Sequence, residues 1–316
     1  MEINKKKVVV IGCGSIGSKY LEILCELGFS VGCYDIKKID SNLYNNKIII
    51  FESFKNCIES KPDFIIIATP PNEHLSCLEK TIKSNAKILL EKPLAASLND
   101  AKSIVKIAEK NKNRIWCVSN MRYHPGFIAL KKNLENLGKI YSTTSHFSHK
   151  LSQMRPASKN IFAAKKDEGG VILDCVHDID LLVRLFGKLS LINSWIASLG
   201  NDKIEAEDFA QLQIISEKGV HISINLDFLS RWKSRGIKIV GENATLLWES
   251  HGKNPELVSV KILSNDGIIE KILDNITIPN DLVYKEMLLD FTSNCEELQT
   301  VSEAFDILSL ALEARS

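Results

Sequence analysis

The chain has 316 residues, of which 45% are hydrophobic and 25% charged, and this globular balance excludes a mainly disordered, collagen-like or coiled-coil protein. Forty Lys and Arg residues against 39 Asp and Glu residues leave a formal net charge of +1, which argues against a dedicated nucleic-acid binder. No apolar run reaches the roughly 18 residues of a membrane span. Residues 1–7 are mostly polar, and the eight cysteines form no C-x-x-C pair. We therefore expect a cytoplasmic protein with free thiols, no membrane segment and no metal site.

The first 120 residues alternate short apolar runs with segments of helical periodicity. The predicted strands are Val8–Gly12, Phe29–Asp35, Lys47–Phe51, Phe64–Thr69, Lys87–Leu90 and Ile115–Ser119. The predicted helices are Ser15–Leu27, Ser53–Ser60, Asn72–Ser84 and Ser97–Lys112. Apolar strands that alternate with helices predict a parallel sheet covered on both faces.

The pattern changes after a helix that we predict over Pro125–Leu137. Pairs of strand-like runs joined by short turns then predict β-hairpins. The hairpin strands are Phe209–Ser216 with Val220–Leu229, Gly236–Val240 with Thr245–Glu249, and Leu257–Leu263 with Ile268–Leu273. Further helices are predicted over Val171–Phe186, Asp281–Cys295 and Ser302–Glu313. Helices on one face of an antiparallel sheet are the natural assembly, and we place a domain boundary after residue 121.

A glycine-rich turn lies between the first predicted strand and the first predicted helix. Residues 12–17 read G-x-G-x-x-G, and their place in a βαβ unit is the context of a dinucleotide site. Gly12 permits the tight turn, Gly14 lets the backbone approach a pyrophosphate, and Gly17 lets the helix pack closely on the strand. The first helical turn, with Ser15 and Ile16, presents N–H groups and a positive dipole end to the phosphates.

The second predicted strand ends at Asp35, near the expected offset for the acid that binds the ribose hydroxyls. A carboxylate there repels a 2′-phosphate, so Asp35 favours NAD over NADP. Lys37 and Lys38 follow directly and leave NADP open, because cations can neutralise that phosphate.

A second cofactor-binding loop is predicted after the fourth strand, because parallel sheets bind ligands at the carboxyl ends of their strands. Its candidate residues are Thr69, Pro70 and His74. For His74, packing or capping within the loop is the alternative reading.

The tripeptide Glu91-Lys92-Pro93 follows the fifth predicted strand, so Lys92 lies where such sheets bind ligands. Pro93 holds the backbone just beyond it and is often cis in such places. Together with the glycine-rich turn, this tripeptide resembles the Gfo/Idh/MocA family, the relatives of glucose–fructose oxidoreductase and inositol dehydrogenase. Further segments match in the family's order: Ala68–Pro71, Asn120–Pro125 and Gly169–His177.

The resemblance implies an α/β fold with two domains. Residues 1–121 are expected to form a doubly wound Rossmann domain, and residues 122–316 an α+β domain with an open, mostly antiparallel sheet. The family implies a nicotinamide cofactor, a sugar or polyol substrate, and a homodimer or homotetramer formed through the second sheet. Residues 154–156, Met-Arg-Pro, and the Asp–His spacing of three look like a branch associated with bacterial surface-sugar biosynthesis, whose substrates include acidic and nucleotide-linked sugars.

The resemblance also implies site residues. The E-K-P lysine and the later Asp and His line the family's site, which gives Lys92, Asp174 and His177 as catalytic and substrate-binding residues. A neutral His177 can take the alcohol proton, and Lys92 can hold the alcohol oxygen. Asp174 can orient His177 or bind a substrate hydroxyl. Glu91 and Lys92 are also assigned to the cofactor site.

One departure concerns the spacing of Asp174 and His177. Most relatives place the His four residues after the Asp, whereas here it follows after three. Both spacings place two side chains on one helical face, so a joint role survives.

Arg122, Tyr123 and Arg155 complete the predicted substrate site. A guanidinium binds a carboxylate or phosphate bidentately, which suits an anionic sugar. Ordinary ion pairing within the protein is the alternative reading for both arginines.

These residues favour an NAD(P)-dependent oxidoreductase that transfers a hydride between a secondary alcohol of a sugar and nicotinamide. Two alternatives stay open. A retained cofactor that is reduced and reoxidised would give an epimerase or a sugar–sugar oxidoreductase. A protein that keeps the fold without the chemistry would be a regulator that senses a sugar or the cofactor.

Overall fold

The computed structural model describes residues 6–39, 47–111, 114–155, 162–166, 169–200, 204–252, 256–264, 266–279 and 281–316. The chain forms two compact units, the first from residues 1–120 and 284–305 and the second from residues 121–283 and 306–316. Within the described ranges, no helix is both long and apolar enough to cross a membrane.

The first unit is built on a seven-stranded sheet whose order is β15-β6-β5-β4-β1-β2-β3. Its strands, numbered along the chain, are β1 (Lys7–Ile11), β2 (Ser30–Tyr34), β3 (Ile48–Ile50), β4 (Phe64–Ile67), β5 (Lys87–Leu90), β6 (Ile115–Cys117) and β15 (Gln299–Thr300). Its helices are α1 (Ser15–Glu26), α2 (Phe54–Glu59), α3 (His74–Thr81), α4 (Leu98–Lys110) and most of α9 (Leu282–Phe291).

Strands β1 to β6 run parallel, as their continuous apolar sequences predict. Strand β1 lies between β2 and β4. The chain therefore adds β2 and β3 on one side of β1 and then β4, β5 and β6 on the other side. This switch point is where doubly wound sheets bind ligands. It holds both the glycine-rich turn after β1 and the Ala68–Pro71 loop after β4.

The C-terminal part of the chain returns to the first unit. β15 pairs antiparallel with β6, and the Gln299 N–H donates to Ser119 Oγ at 3.1 Å. Phe291 at the end of α9 packs edge-on against Phe64, with 5.4 Å between ring centroids. A second domain that runs unbroken from residue 122 to residue 316 is therefore wrong, because residues 284–305 complete the first sheet and its packing.

The second unit contains an eight-stranded sheet whose order is β14-β13-β12-β11-β7-β10-β9-β8. Its strands are β7 (Ile140–Ser148), β8 (Leu189–Ala197), β9 (Phe209–Ser216), β10 (His221–Asp227), β11 (Ser234–Gly241), β12 (Ala244–His251), β13 (Glu256–Ser264) and β14 (Ile269–Ile278). Among the described strands of this second sheet, only β7 and β10 pair in parallel, so the predicted mostly antiparallel sheet is confirmed.

Three helices lie against strands of the second sheet: α5 (Pro125–Lys132), α7 (Val171–Asp174) and α8 (Val176–Phe186). The same unit also contains α6 (Leu151–Met154) and the last turns of α10 (Val301–Glu313). α5 lies closely on the sheet at Gly126, where a Cβ would stand 2.2 Å from the buried indole nitrogen of Trp248. A larger residue at this position would push the helix away from the sheet.

The helix that the apolar pattern predicts over Val171–Phe186 is in fact two helices. α7 ends at Asp174, and Cys175 lies between the helices with φ −99° and ψ 24°, outside helical values. Asp174 and His177 therefore flank a break, and the prediction that they share one helical face is wrong.

Candidate functional site

The glycine-rich turn has the backbone geometry that a dinucleotide site requires. Gly12 has φ +91°, and a Cβ on it would stand 2.7 Å from the carbonyl oxygen of Ala68. A Cβ on Gly17 would stand 1.9 Å from the carbonyl oxygen of Gly12, so α1 can begin this close to β1 only with glycine there. A side chain is thus excluded at both ends of the turn.

Gly14 has a different environment. It is the N-cap of α1 with φ −67°, and a Cβ built on it meets no heavy atom of the described residues within 4 Å. The glycine is therefore not needed for packing, and the space in front of it suits a ligand that approaches the backbone closely. Ser15 and Ile16 form the first turn behind it, whose N–H groups point out of the helix end. These residues fit the pyrophosphate of a dinucleotide.

The Asp35 carboxylate lies at the mouth of this turn. Its Oδ2 accepts a hydrogen bond from Cys13 N–H at 2.7 Å, and its Oδ1 accepts one from Lys37 N–H at 2.8 Å. Each carboxylate oxygen retains capacity for another donor, such as a ribose hydroxyl. Lys37 thus contributes its backbone to holding the acid. The next side chain, Ile36, is 89% exposed and offers an apolar surface beside the acid, which the sequence analysis did not identify.

The loop after β4 holds Thr69 and Pro70 at the same edge of the first sheet. Pro70 is exposed and Thr69 half-buried, whereas His74 is fully buried. Both ring nitrogens of His74 lie against backbone carbonyl oxygens, of Leu94 at 3.1 Å and of Thr69 at 3.0 Å. Burial lowers the pKa of His74, although these carbonyl groups oppose the shift. The assignment of its side chain to the cofactor is therefore wrong, and His74 instead holds the loop after β4 in place.

The Glu91-Lys92-Pro93 segment leaves the end of β5 through a cis peptide bond between Lys92 and Pro93, as predicted. Lys92 is half-buried. The Glu91 side chain is 6% exposed, and its carboxylate accepts hydrogen bonds from the hydroxyl of Tyr20 and from Lys92 N–H, the latter at 2.9 Å. The assignment of Glu91 to the cofactor needs correction, because its carboxylate is turned inward and engaged by the protein.

In the second unit, Asp174 pairs with Arg155. Asp174 is buried, and its Oδ1 lies 2.9 Å from an Nη atom of Arg155, whose side chain is 38% exposed. His177 is half-buried at the start of α8. The structure thus places an arginine on this oxygen of Asp174, and more than a third of the Arg155 side chain stays exposed. Pro156 of the Met-Arg-Pro segment lies outside the described residues.

The predicted role of Arg122 in substrate binding is wrong. Its guanidinium is buried, with Nε 3.0 Å from both carboxylate oxygens of Asp180 on α8 and an Nη atom 2.5 Å from one of them. This is the ion pair that the sequence analysis kept as the alternative. Tyr123, the next residue, is also buried, so little of its surface can contact a substrate.

A second buried ion pair, which the sequence analysis missed, lies two residues away on α8. Asp178 Oδ1 lies 3.1 Å from Nε of Arg235 on β11, and the guanidinium also covers the Phe147 ring at 4.6 Å. Burial raises the pKa of Asp178, and Arg235 opposes that shift. The first turns of α8, which carry His177, are thus held by two ion pairs, Arg122 with Asp180 and Arg235 with Asp178.

Fold and site geometry together define an NAD-binding Rossmann protein with an attached α+β domain. Residues 6–119 match the family model described as an oxidoreductase family with an NAD-binding Rossmann fold, and residues 129–247 match the GFO/IDH/MocA C-terminal domain. The chain therefore belongs to the Gfo/Idh/MocA oxidoreductase family, as its motifs indicated.

Among curated relatives, the inositol 2-dehydrogenase of Rhizobium meliloti is 23% identical over 214 residues, 65% of this chain and 61% of that protein. This chain spans about half the length of the curated relatives it matches. Among solved structures, the UDP-N-acetylglucosamine 3-dehydrogenase of Acidithiobacillus ferrooxidans has a TM-score of 0.77 and 17% identity, covering 98% of this chain and 97% of that chain. The WlbA dehydrogenase of Bordetella pertussis, in complex with NADH and UDP-GlcNAcA, has a TM-score of 0.74 and 19% identity, covering 98% and 96%. At these identities the structural likeness establishes the fold alone.

Proposed function

We propose that this chain is an NAD-dependent dehydrogenase that transfers a hydride between a secondary alcohol of a sugar or sugar derivative, including acidic and nucleotide-linked sugars, and nicotinamide. One observation carries the proposal. The backbone at Gly14 is open to a ligand, and the Asp35 carboxylate is held in place beside the same turn by Cys13 N–H. The family membership supports the redox chemistry, and the dehydrogenases among the relatives support the substrate class.

In this proposal, Gly12, Gly14, Ser15, Ile16 and Gly17 hold the pyrophosphate. Bound NAD supplies the hydride acceptor of the reaction. Asp35 binds the ribose hydroxyls, and Thr69 and Pro70 contact the cofactor from the loop after β4.

The remaining chemistry belongs to side chains of the chain itself. The Lys92 ammonium donates a hydrogen bond to the alcohol oxygen and stabilises the negative charge that develops there. Neutral His177 accepts the hydroxyl proton. Arg155 pairs with Asp174 and stays partly exposed. Its guanidinium binds the carboxylate or phosphate of an anionic sugar.

The quaternary structure stays a prediction. A homodimer or homotetramer formed through the second sheet is favoured by the edge strand β8, on which the large side chains Ile192 and Trp195 are exposed.

A fluorescence titration of the purified chain with NADH and NADPH tests the cofactor. We expect NADH to bind at least about ten-fold more tightly, because the Asp35 carboxylate repels a 2′-phosphate at a cost of roughly 1.4 kcal/mol or more. Asp35→Ser should remove most of this preference, whereas Asp63→Ser should leave it unchanged. Tighter binding of NADPH would contradict the role of Asp35, and binding of neither cofactor to cofactor-free protein would refute the dehydrogenase proposal.

Replacing Lys92 by Met tests the enzyme against the regulator alternative. We expect turnover of the sugars found in a screen with NAD to fall about 100- to 1,000-fold, the usual loss for one group that stabilises developing charge. NADH binding should persist. Lys55→Met is the matched control, because the Lys55 side chain on α2 is 80% exposed.

Full turnover by the Lys92→Met variant would show that this lysine is misassigned. The double variant with His177→Asn tests joint action, since two groups that serve one step give losses that do not add.

A further inference from the structure

A continuous hydrogen-bonded chain runs from α1 to the end of β5. The hydroxyl of Tyr20 donates to Oε1 of Glu91, and Oε2 of Glu91 accepts from Lys92 N–H at 2.9 Å. Tyr20 is fully buried and Glu91 nearly so. A buried carboxylate is costly unless its oxygens are satisfied, so each of these bonds matters for holding Glu91 inside.

The Tyr20 ring is fixed by its surroundings. It meets the ring of Tyr284 edge-on, with 6.1 Å between centroids and 67° between planes, and the Lys19 ammonium lies 4.8 Å from the centroid of the Tyr284 ring. Burial and the negative charge of Glu91 keep the pKa of Tyr20 well above its ordinary value. The hydroxyl therefore stays protonated and remains a donor across the neutral pH range.

The bond from Glu91 to Lys92 joins a side chain to the backbone of the next residue. Such a bond restricts the peptide group between the two residues, and with it the direction in which the Lys92 side chain leaves the strand. Without the Tyr20 hydroxyl, Oε1 of Glu91 would be a buried oxygen that has lost a donor. Glu91 would then take up a proton or turn towards solvent, and either change weakens its hold on Lys92.

We propose that Tyr20 is a positioning residue for Lys92 and acts through the carboxylate of Glu91. The inference rests on the proposed function in taking Lys92 as the group that contacts the substrate. The positioning itself is a property of the protein without substrate, so it can be measured without knowing the sugar.

The experiment is competitive labelling of lysine amines with trace acetic anhydride in a pH series from about 6 to about 11, which spans the ordinary lysine pKa. Peptide mass spectrometry reports the labelling of Lys92 relative to the exposed Lys55 in the same sample. In Tyr20→Phe we expect Lys92 to react about ten-fold faster, the size of effect that one lost hydrogen bond to a buried charged group produces. NADH binding should remain close to that of the wild type.

Tyr141→Phe is the matched control, because it removes a hydroxyl from an exposed tyrosine of the second unit. It should leave the Lys92 profile unchanged. A Tyr20→Phe profile for Lys92 that superposes on the wild type at every pH would overturn the proposal.

Two variants of Glu91 distinguish its hydrogen bonds from its negative charge as the cause of the effect on Lys92. They test the proposal even if Tyr20→Phe does not fold. Glu91→Gln can still accept from Lys92 N–H and donate to the Tyr20 oxygen, so it should keep the wild-type profile. Glu91→Leu cannot do either and should behave like Tyr20→Phe. Equal effects of Gln and Leu would show that charge rather than positioning acts on Lys92, which refutes the proposal. A chain that shows the Tyr20 effect but transfers no hydride would refute the proposed function alone.

Discussion

Replacing Arg122 by Met is expected to destabilise the protein by about 3–5 kcal/mol, because it leaves the Asp180 carboxylate buried without its cation. Arg122 and Asp180 are 3% and 2% exposed, so water cannot replace the lost partner. Urea unfolding followed by tryptophan fluorescence measures this loss as a lower midpoint.

The double variant Arg122→Met with Asp180→Leu is the control for this prediction. It should recover most of the lost stability, since apolar residues of similar size can replace a buried ion pair at little cost. If Arg122 instead served the substrate, its replacement would leave the unfolding midpoint near the wild type and raise KM alone. That result would restore the role that the sequence analysis gave it.

Replacing either Gly14 or Gly17 by Ala is expected to weaken NADH binding, for different physical reasons. In Gly14→Ala the new Cβ enters the space in front of the turn, and we expect NADH to bind about 10- to 100-fold more weakly with little change in stability. In Gly17→Ala the Cβ collides with the Gly12 carbonyl oxygen. We therefore expect weaker NADH binding together with a loss of about 1–3 kcal/mol in the free energy of unfolding.

Fluorescence titration and urea unfolding on the same preparations separate the two effects. An Ala at position 14 that leaves NADH affinity intact would show that the pyrophosphate does not approach the turn there. An Ala at position 17 that unfolds like the wild type would show that α1 can shift away from β1 without cost.

Much of the first unit could be predicted from local sequence. Continuous apolar runs such as Phe64–Ile67 predict buried parallel strands, and the glycine spacing identifies the ligand-binding turn between β1 and α1. The helix break at Cys175 could not be predicted in this way. The apolar periodicity from Val171 to Phe186 continues across the break, and only the tertiary structure shows that α7 packs on β9 and β10 whereas α8 packs on β7.

The sequence is informative where a single residue's own geometry is decisive. A turn with φ +91° and a carbonyl 2.7 Å from any Cβ demands glycine at position 12, and this requirement is visible in the spacing of the motif. The same holds for the cis peptide before Pro93. Such requirements are local, so a reading of the chain in order can detect them.

The partners of ionisable side chains were decided only by the tertiary structure. Arg122, Glu91 and His74 each have the residue type that a ligand site uses, yet they pair with Asp180, with the Tyr20 hydroxyl, and with backbone carbonyls. The interaction energy of a charged group, and the ease with which it ionises, depend on its burial and on neighbours that are distant in the chain. Arg235 beside Asp178 is such a neighbour. Sequence spacing identifies the family and its cofactor, whereas three-dimensional packing decides which charged groups face a ligand and which neutralise one another.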